Sequence, residues 1–420
     1  MTTDYDQLKH NLKLRLVQLS NVNQRGPATL DRDTIAQQLK LVVNAIGGPQ
    51  KAGVNGEEQA RLVSEVASEV LGAGPLDPLL ADPEVIEVMV NGPHQVFVER
   101  LGRMEKTPIT FRDNEQLLFI IERILDRAGL TINESEPLVD ASLPDGTRIN
   151  VIIPPLTLNG PLVTIRKKSR RWDLDGLLAQ QSLSKESADF LVACVAAKVN
   201  IIVSGGTSTG KTTLVSVLSA FIPPEERIIT IENVAELELI NREHWIRLVA
   251  RAPNIEGKGE IPLRTLVANA LRMRPDRIIL GEARGGEALD VVQAMTTGHD
   301  GVITILHANS TRSSVERLET LMLMSGLDLP PFACRAQIAS AVDLIVHMMR
   351  YADGRRCIGA ITQVLGNAQD GIAIEDIFTL DTEELPEGQA RGGLRYTGVR
   401  PKFLSKFQFN NVEVPAWVKT

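Results

Sequence analysis

Gly205, Gly210, Lys211 and Thr212, within "GGTSTGKTT", have the spacing at which a backbone can wrap around a polyphosphate. Gly205, Gly206 and Gly210 permit the tight path, and Thr207, Ser208, Thr209 and Thr213 complete a loop whose N–H groups point inward. Lys211 would bring a point charge to the β- and γ-phosphates, and the Thr212 hydroxyl would ligate Mg²⁺. Further polar residues terminate apolar runs. Glu232 and Glu236 follow "RIITI", Glu282 ends "RIILGE", and His307 ends "GVITILH", with His299 eight residues earlier in "TTGHDG". A carboxylate such as Glu282 can orient an attacking water or hold the water shell of a metal. Alone, a strand-end glutamate is a solvated residue and a lone histidine a structural one. Gathered at the edge that carries a phosphate loop, they point to the binding and splitting of a nucleoside triphosphate.

The flanking segments must hold these residues in place. "NIIVSGG" is a short β-branched run of the kind that forms a buried parallel strand, and "TTLVSVLSAFIPP" is a helix stopped by Pro223 and Pro224. With "RIITIE", "RIILGE", "GVITILH" and "DLIVH" alternating with helices, residues 183–420 predict a parallel sheet wound on both faces, with a C-terminal extension containing "RRCIGAITQV" and "GIAIEDIFTL". In such a sheet ligands collect at the carboxyl ends of the strands. Residues 71–168 read as a small α+β domain: Val88 and Val90 share one side, Asn91-Gly92 begins a turn, and Val96 and Val98 continue after it. Residues 1–70 read as helices, with Leu8, Leu12 and Leu19 near one face of the first and Ile35, Leu39, Val42, Val43 and Ile46 near one face of the second, and a flexible "GGPQKAGVNG" joins the second to a further helix over about 57–71. The basic "VTIRKKSRRWDLDG" suggests a hinge, with a linker over 169–182.

At 420 residues, 43% of them apolar, the chain has room for two or three domains with filled cores. No apolar stretch reaches the ~20 residues of a membrane-spanning helix, and "MTTDYDQLKH" lacks the apolar core of a signal peptide, so a cytoplasmic location is expected. A net charge of -7 argues against a protein that coats nucleic acid. Cys194, Cys334 and Cys357 lack metal-ligand spacing and read as buried apolar residues.

The motor half resembles the ATPases of the type II and type IV secretion superfamily: "GGTSTGKTT", "TIENVAELEL" and "LRMRPDRIILGEARGGEALDVVQAMTTGHDGVITILHANS" stand in that family's order. Within it the chain looks most like the ATPase of tight-adherence (Flp) pilus systems, on "GPLDPLLADPEV", "VMVNGP", "SLPDGTRINVIIPPL", "GPLVTIRK", "DGRRC" and "TGVRPKF". The resemblance implies an α/β fold with a RecA-like motor, preceded by a small PAS-like α+β domain and a helical region, with ATP and Mg²⁺ as cofactors. It implies that Glu282 supplies the acid needed for hydrolysis, that Glu236 helps polarise the water, and that His299 and His307 sense the phosphate. Arg148 and Arg166 match basic positions that close over the nucleotide or reach it across a subunit boundary. It further implies a hexameric ring docked at the cytoplasmic side of an inner-membrane platform protein, peripheral to the membrane, powering pilus assembly; whether it also drives retraction the sequence leaves open. Asn233 departs from the pattern, which has Asp after the Glu of "TIE". A DNA-transfer motor, a strand-exchange protein and a non-catalytic nucleotide-stabilised module remain alternatives, and the loop does not distinguish ATP from GTP.

Overall fold

The computed structural model describes residues 72–418, apart from 101, 144, 169–171, 241, 252, 254–256, 352, 369–370 and 381–393. The helices expected over 1–70 and the "GGPQKAGVNG" joint lie outside the described residues. The chain divides into two compact units, with the boundary between Ser169 and Arg170.

The first unit is built on an antiparallel sheet of six strands, β1 (Val85–Asn91), β2 (Val96–Arg100), β3 (Arg103–Lys106), β4 (Leu138–Ser142), β5 (Arg148–Ile152) and β6 (Leu162–Arg166), in the order β3-β2-β1-β6-β5-β4. Val88 pairs with Val98 and Val90 with Val96, so alternation puts all four on the buried face. The helix Asn114–Asp126 covers that face with Leu117, Ile120, Ile121 and Leu125, and its N-cap Asp113 accepts a hydrogen bond from the Gln116 amide.

Among the described residues the second unit carries nine strands. These are β7 (Ile201–Gly205), β8 (Ile228–Glu232), β9 (Trp245–Val249), β10 (Arg277–Ala283), β11 (Ile303–His307), β12 (Leu344–Arg350), β13 (Arg356–Ala368), β14 (Gly371–Leu380) and β15 (Leu394–Tyr396). Their order is β15-β14-β13-β12-β7-β11-β10-β8-β9. The run from β12 to β9 is parallel, and β13, β14 and β15 join antiparallel beyond β12. The late strands therefore extend the second unit's sheet edgewise, whereas the sequence left open whether they pack on it. Both faces are covered, so the central strands are apolar on both sides. Ile201, Val203, Ile303 and Ile305 face one core with the helices Lys185–Ala196 and Lys211–Ser219. Ile202, Ile229, Ile278 and Leu306 face the other, with Leu263–Ala270, Glu287–Thr296, Thr311–Leu323 and Pro331–Ala341.

Part of the stretch read as a linker is folded. Leu174–Ala179 is a helix capped by Asp173, which accepts from the Gly176 amide, and Leu177 enters a core of the second unit. Cys194, Cys334 and Cys357 are free thiols and buried. Among the described residues no helix is long and apolar enough to cross a membrane.

Candidate functional site

Strand β7 ends at Gly205, and the chain crosses a five-residue loop before the helix Lys211–Ser219 begins. Two requirements fix the glycines. A Cβ on Gly205, whose φ is +149°, would stand 2.4 Å from the Met348 carbonyl oxygen, and Gly210 caps the helix at φ +96°. Ser208 is also left-handed, at φ +58°, a conformation that costs a non-glycine residue about 1 kcal/mol or more and collects at functional loops. Thr209 closes the turn by donating from Oγ1 to the Gly206 carbonyl at 3.0 Å. The loop amides thus gather around the positive end of a helix dipole, the arrangement that holds a phosphate.

Lys211 is buried, and its Nζ donates to the carbonyls of Gly205 at 3.1 Å and Gly206 at 2.6 Å. The loop's own oxygens solvate the ammonium at the mouth of the cradle, where an incoming phosphate would compete for it. Thr212 and Thr213 follow in the first helical turn, half-buried, while Thr207 is exposed.

The neighbouring strand ends bring in the acid and a histidine. His307, last residue of β11, pairs in register with Gly205. One strand further, the β10–β11 register shifts between Leu280 and Ala283, and this irregularity contains Glu282. Glu282 Oε1 lies 3.2 Å from His307 Nε2, and Oε2 lies 2.7 Å from an Arg284 Nη. Glu236 adds to the field at Arg284; the Glu282 bond is the main cause that pushes this guanidinium up. Burial first, then the Lys211 charge, pushes the His307 imidazole below its ordinary range, against an opposing pull from Glu282. His307 is therefore neutral at neutral pH.

Glu232 is buried and does structural work: Oε1 accepts from the amides of Glu236 and Leu237, both at 2.8 Å. Desolvation raises its carboxyl. A Cβ at position 281 would meet Glu232 Cγ at 2.8 Å, which explains why glycine precedes Glu282. Glu236 and Asn233, on the loop after β8, are exposed.

His299 is not brought to this edge. Gly301 and Val302 donate to Asn200 Oδ1 just before β7, so His299 belongs to the amino-terminal end of β11, opposite the phosphate loop. A five-residue strand separates its two ends by ~13 Å. Arg148 and Arg166 are brought together, as direct cross-strand partners in the first unit, with Glu87 opposite Arg166 on the other side.

The sequence reading missed His347 and Arg284. His347 lies on β12 beside Ser204, its Nδ1 3.0 Å from the Ser204 Oγ. Burial and then Lys211 lower its pKa, against a hydrogen bond to the Asn309 backbone. Its signal was available: "DLIVH" ends an apolar strand in histidine as "GVITILH" does. Because the folded imidazole has the lower pKa, protonation favours the unfolded chain. The stability His347 preserves above its ordinary value of ~6.5 is lost as pH falls through the folded value. His347→Gln is expected to shrink the drop in thermal midpoint between about pH 7.5 and about pH 5.5. An unchanged drop in a melting series would contradict this.

Mg²⁺ keeps several waters and needs only one or two protein oxygens. A half-buried Thr212 at the helix start and a partly accessible Glu282 carboxylate suit that demand. The arrangement can therefore hold a triphosphate by backbone and lysine, and present a carboxylate to a water beside it.

Residues 69–371 match the family described as type II/IV secretion system protein. The chain is 34% identical over 321 residues to a putative conjugal transfer protein of Mycobacterium tuberculosis, covering 75% of this chain and 90% of that one. It is 35% identical over 313 residues to the type IV secretion system protein VirB11 of Brucella suis, covering 68% and 87% respectively. Among solved structures, the ATPase DotB of Yersinia pseudotuberculosis shares the fold at a TM-score of 0.52 and 18% identity, over 69% of this chain and 77% of that one.

Proposed function

The chain belongs to the type II/IV secretion system protein family, and from that premise we propose that it is a Mg²⁺-dependent ATPase powering a membrane-embedded secretion or pilus machine. The observation that carries the proposal is the convergence of Lys211, His307 and Glu282 at the carboxyl ends of adjacent strands. In this reading Lys211 leaves the Gly205 and Gly206 carbonyls for the β- and γ-phosphates, while the loop amides of 206–213 take the phosphate oxygens. Glu282 orients the attacking water and accepts its proton. Arg284 holds that carboxylate in place through its 2.7 Å ion pair, with Glu236 adding to the local negative field. His307, neutral and tied to both Glu282 and the Gly205 strand end, is placed to register loss of the γ-phosphate. Thr212 would hold the Mg²⁺ together with Glu282 through water; when bound, the ion neutralises charge on the β- and γ-oxygens.

The developing negative charge calls for an arginine delivered on closure. Arg148 and Arg166, paired on adjacent strands, are our candidates, reaching the site from the first unit of the same chain or of a neighbour in a hexameric ring. That ring would work in the cytoplasm, peripheral to the inner membrane through a platform protein. The late motifs "DGRRC" and "TGVRPKF" favour a tight-adherence pilus, with pilin as cargo. The relatives named for conjugal transfer and type IV secretion favour export instead, and strong stimulation of turnover by DNA would select that reading.

Phosphate release measured together with particle mass, with and without Mg·ATP, tests the proposal. The expected result is Mg²⁺-dependent turnover by a particle about six times the monomer mass. Arg148→Ala and Arg166→Ala should each lower turnover by roughly tenfold or more while changing ATP affinity far less. Equal losses in both quantities would remove the arginines from catalysis, and absence of phosphate release would contradict the ATPase.

A further inference from the structure

Glu282 and His307 lie on one flank of β7; a hairpin rich in arginine lies on the other. Strand β12 runs parallel to β7 with Met348 opposite Gly205, and the Met348 carbonyl is the atom that excludes a side chain at 205. The chain continues past the end of β7, turns, and returns as β13 with Arg356 opposite Arg350. The turn is braced internally. Tyr351 N–H donates to the Arg355 carbonyl at 2.8 Å, and Gly354 N–H donates to the Tyr351 carbonyl at 3.0 Å. Arg355 Nε donates to Asp353 Oδ2 at 2.7 Å, with its guanidinium 5.7 Å from the Tyr351 ring centroid.

Arg356 returns to the phosphate loop. Its Cδ lies 3.7 Å from the position that a Cβ on Gly210 would occupy, beside Met348 Cε at 3.6 Å. Gly210 is the cap of the phosphate helix, and a guanidinium reaches only roughly 3.5 Å beyond Cδ, so the Arg356 head is confined to the vicinity of the loop. A triphosphate with its terminal group toward Glu282 and His307 must run its α-phosphate toward the opposite flank, that of β12 and β13. We propose that Arg356 is a nucleotide-binding residue that pairs with the α-phosphate side of the bound nucleotide. The inference rests on the nucleotide reading of this edge and adds a wall to it that the phosphate-loop motif does not contain. The competing role is structural: the arginine stem packs on Met348 and Gly210 and its charge is incidental.

Equilibrium binding of a fluorescent ADP analogue to the full chain separates the two, with Mg²⁺ present and tripolyphosphate as competitor. Arg356→Met keeps an apolar stem without charge, and Arg356→Gln keeps polarity without charge. Each folded variant is expected to melt close to the parent in the absence of nucleotide, to bind the ADP analogue about tenfold more weakly, and to lose tripolyphosphate competition in proportion. Parent-like affinity for both ligands in either folded variant would overturn the proposal, as would weakened ADP binding with unchanged tripolyphosphate competition. Failure of the parent itself to bind the analogue would instead strike at the nucleotide site as a whole.

Discussion

Turnover of ATP by Glu282→Gln is expected to fall at least a hundredfold, about 3 kcal/mol of transition-state stabilisation, while affinity for ATP changes by no more than about threefold. Glutamine preserves the size of the side chain and an acceptor oxygen, so the β10 irregularity and the packing around it should survive. What disappears is the group that can take a proton from water. The change also removes a partner from Arg284, whose side chain is 62% exposed, so the stability lost with that pair is at most about 1 kcal/mol. A second readout comes from His307. Glu282 pulls its imidazole upward, so the Gln variant should show His307 titrating lower still by NMR. A variant that turns over at the parent rate would take Glu282 out of the chemistry.

The second large effect belongs to Lys211. Lys211→Ala is expected to weaken ATP binding by roughly a hundredfold, about 3 kcal/mol, because a nearly buried ammonium would otherwise face the phosphates in a site of low polarisability. The same ammonium depresses both His307 and His347, which flank β7 on its two sides. Its removal should therefore raise both imidazoles, an outcome that loss of a merely structural lysine elsewhere would not produce. Titration of the two histidines by NMR checks it, and unchanged values alongside undiminished ATP binding would contradict the placement of Lys211 at the centre of the edge.

Much of this edge could be read from the chain because parallel strands bury both faces. "NIIVSGG", "RIITIE", "RIILGE" and "GVITILH" are continuous apolar runs, and each ends at the carboxyl edge of the sheet, where the candidate site lies. The valines at 88, 90, 96 and 98 were legible for the opposite reason, a strict alternation over one buried face. Strand β9 escaped notice because it is the sheet's edge: the exposed Arg247 interrupts its apolar run. The direction of β13 was equally hidden. Apolar runs have no polarity, and only the Asp353-Gly354 turn before it signals a reversal. His299 is close to His307 in sequence but not in space, because strand β11 carries the two to opposite ends of the sheet. The close approach of Glu232 that leaves no room for a Cβ at Gly281 could not be seen in the sequence at all, since it joins strands separated by a long crossover.

The pieces amount to an α/β, RecA-like motor whose phosphate loop, acid and histidine share one sheet edge, preceded by a smaller unit carrying a pair of arginines. A structure of the chain with Mg²⁺ and a non-hydrolysable ATP analogue tests that arrangement most directly. The account predicts the β-phosphate within the amides of 206–211, Lys211 Nζ transferred from the Gly205 and Gly206 carbonyls to phosphate oxygens, and the γ-phosphate facing Glu282 and His307. Phosphates bound elsewhere, or Lys211 still held by the two carbonyls with the analogue present, would contradict it.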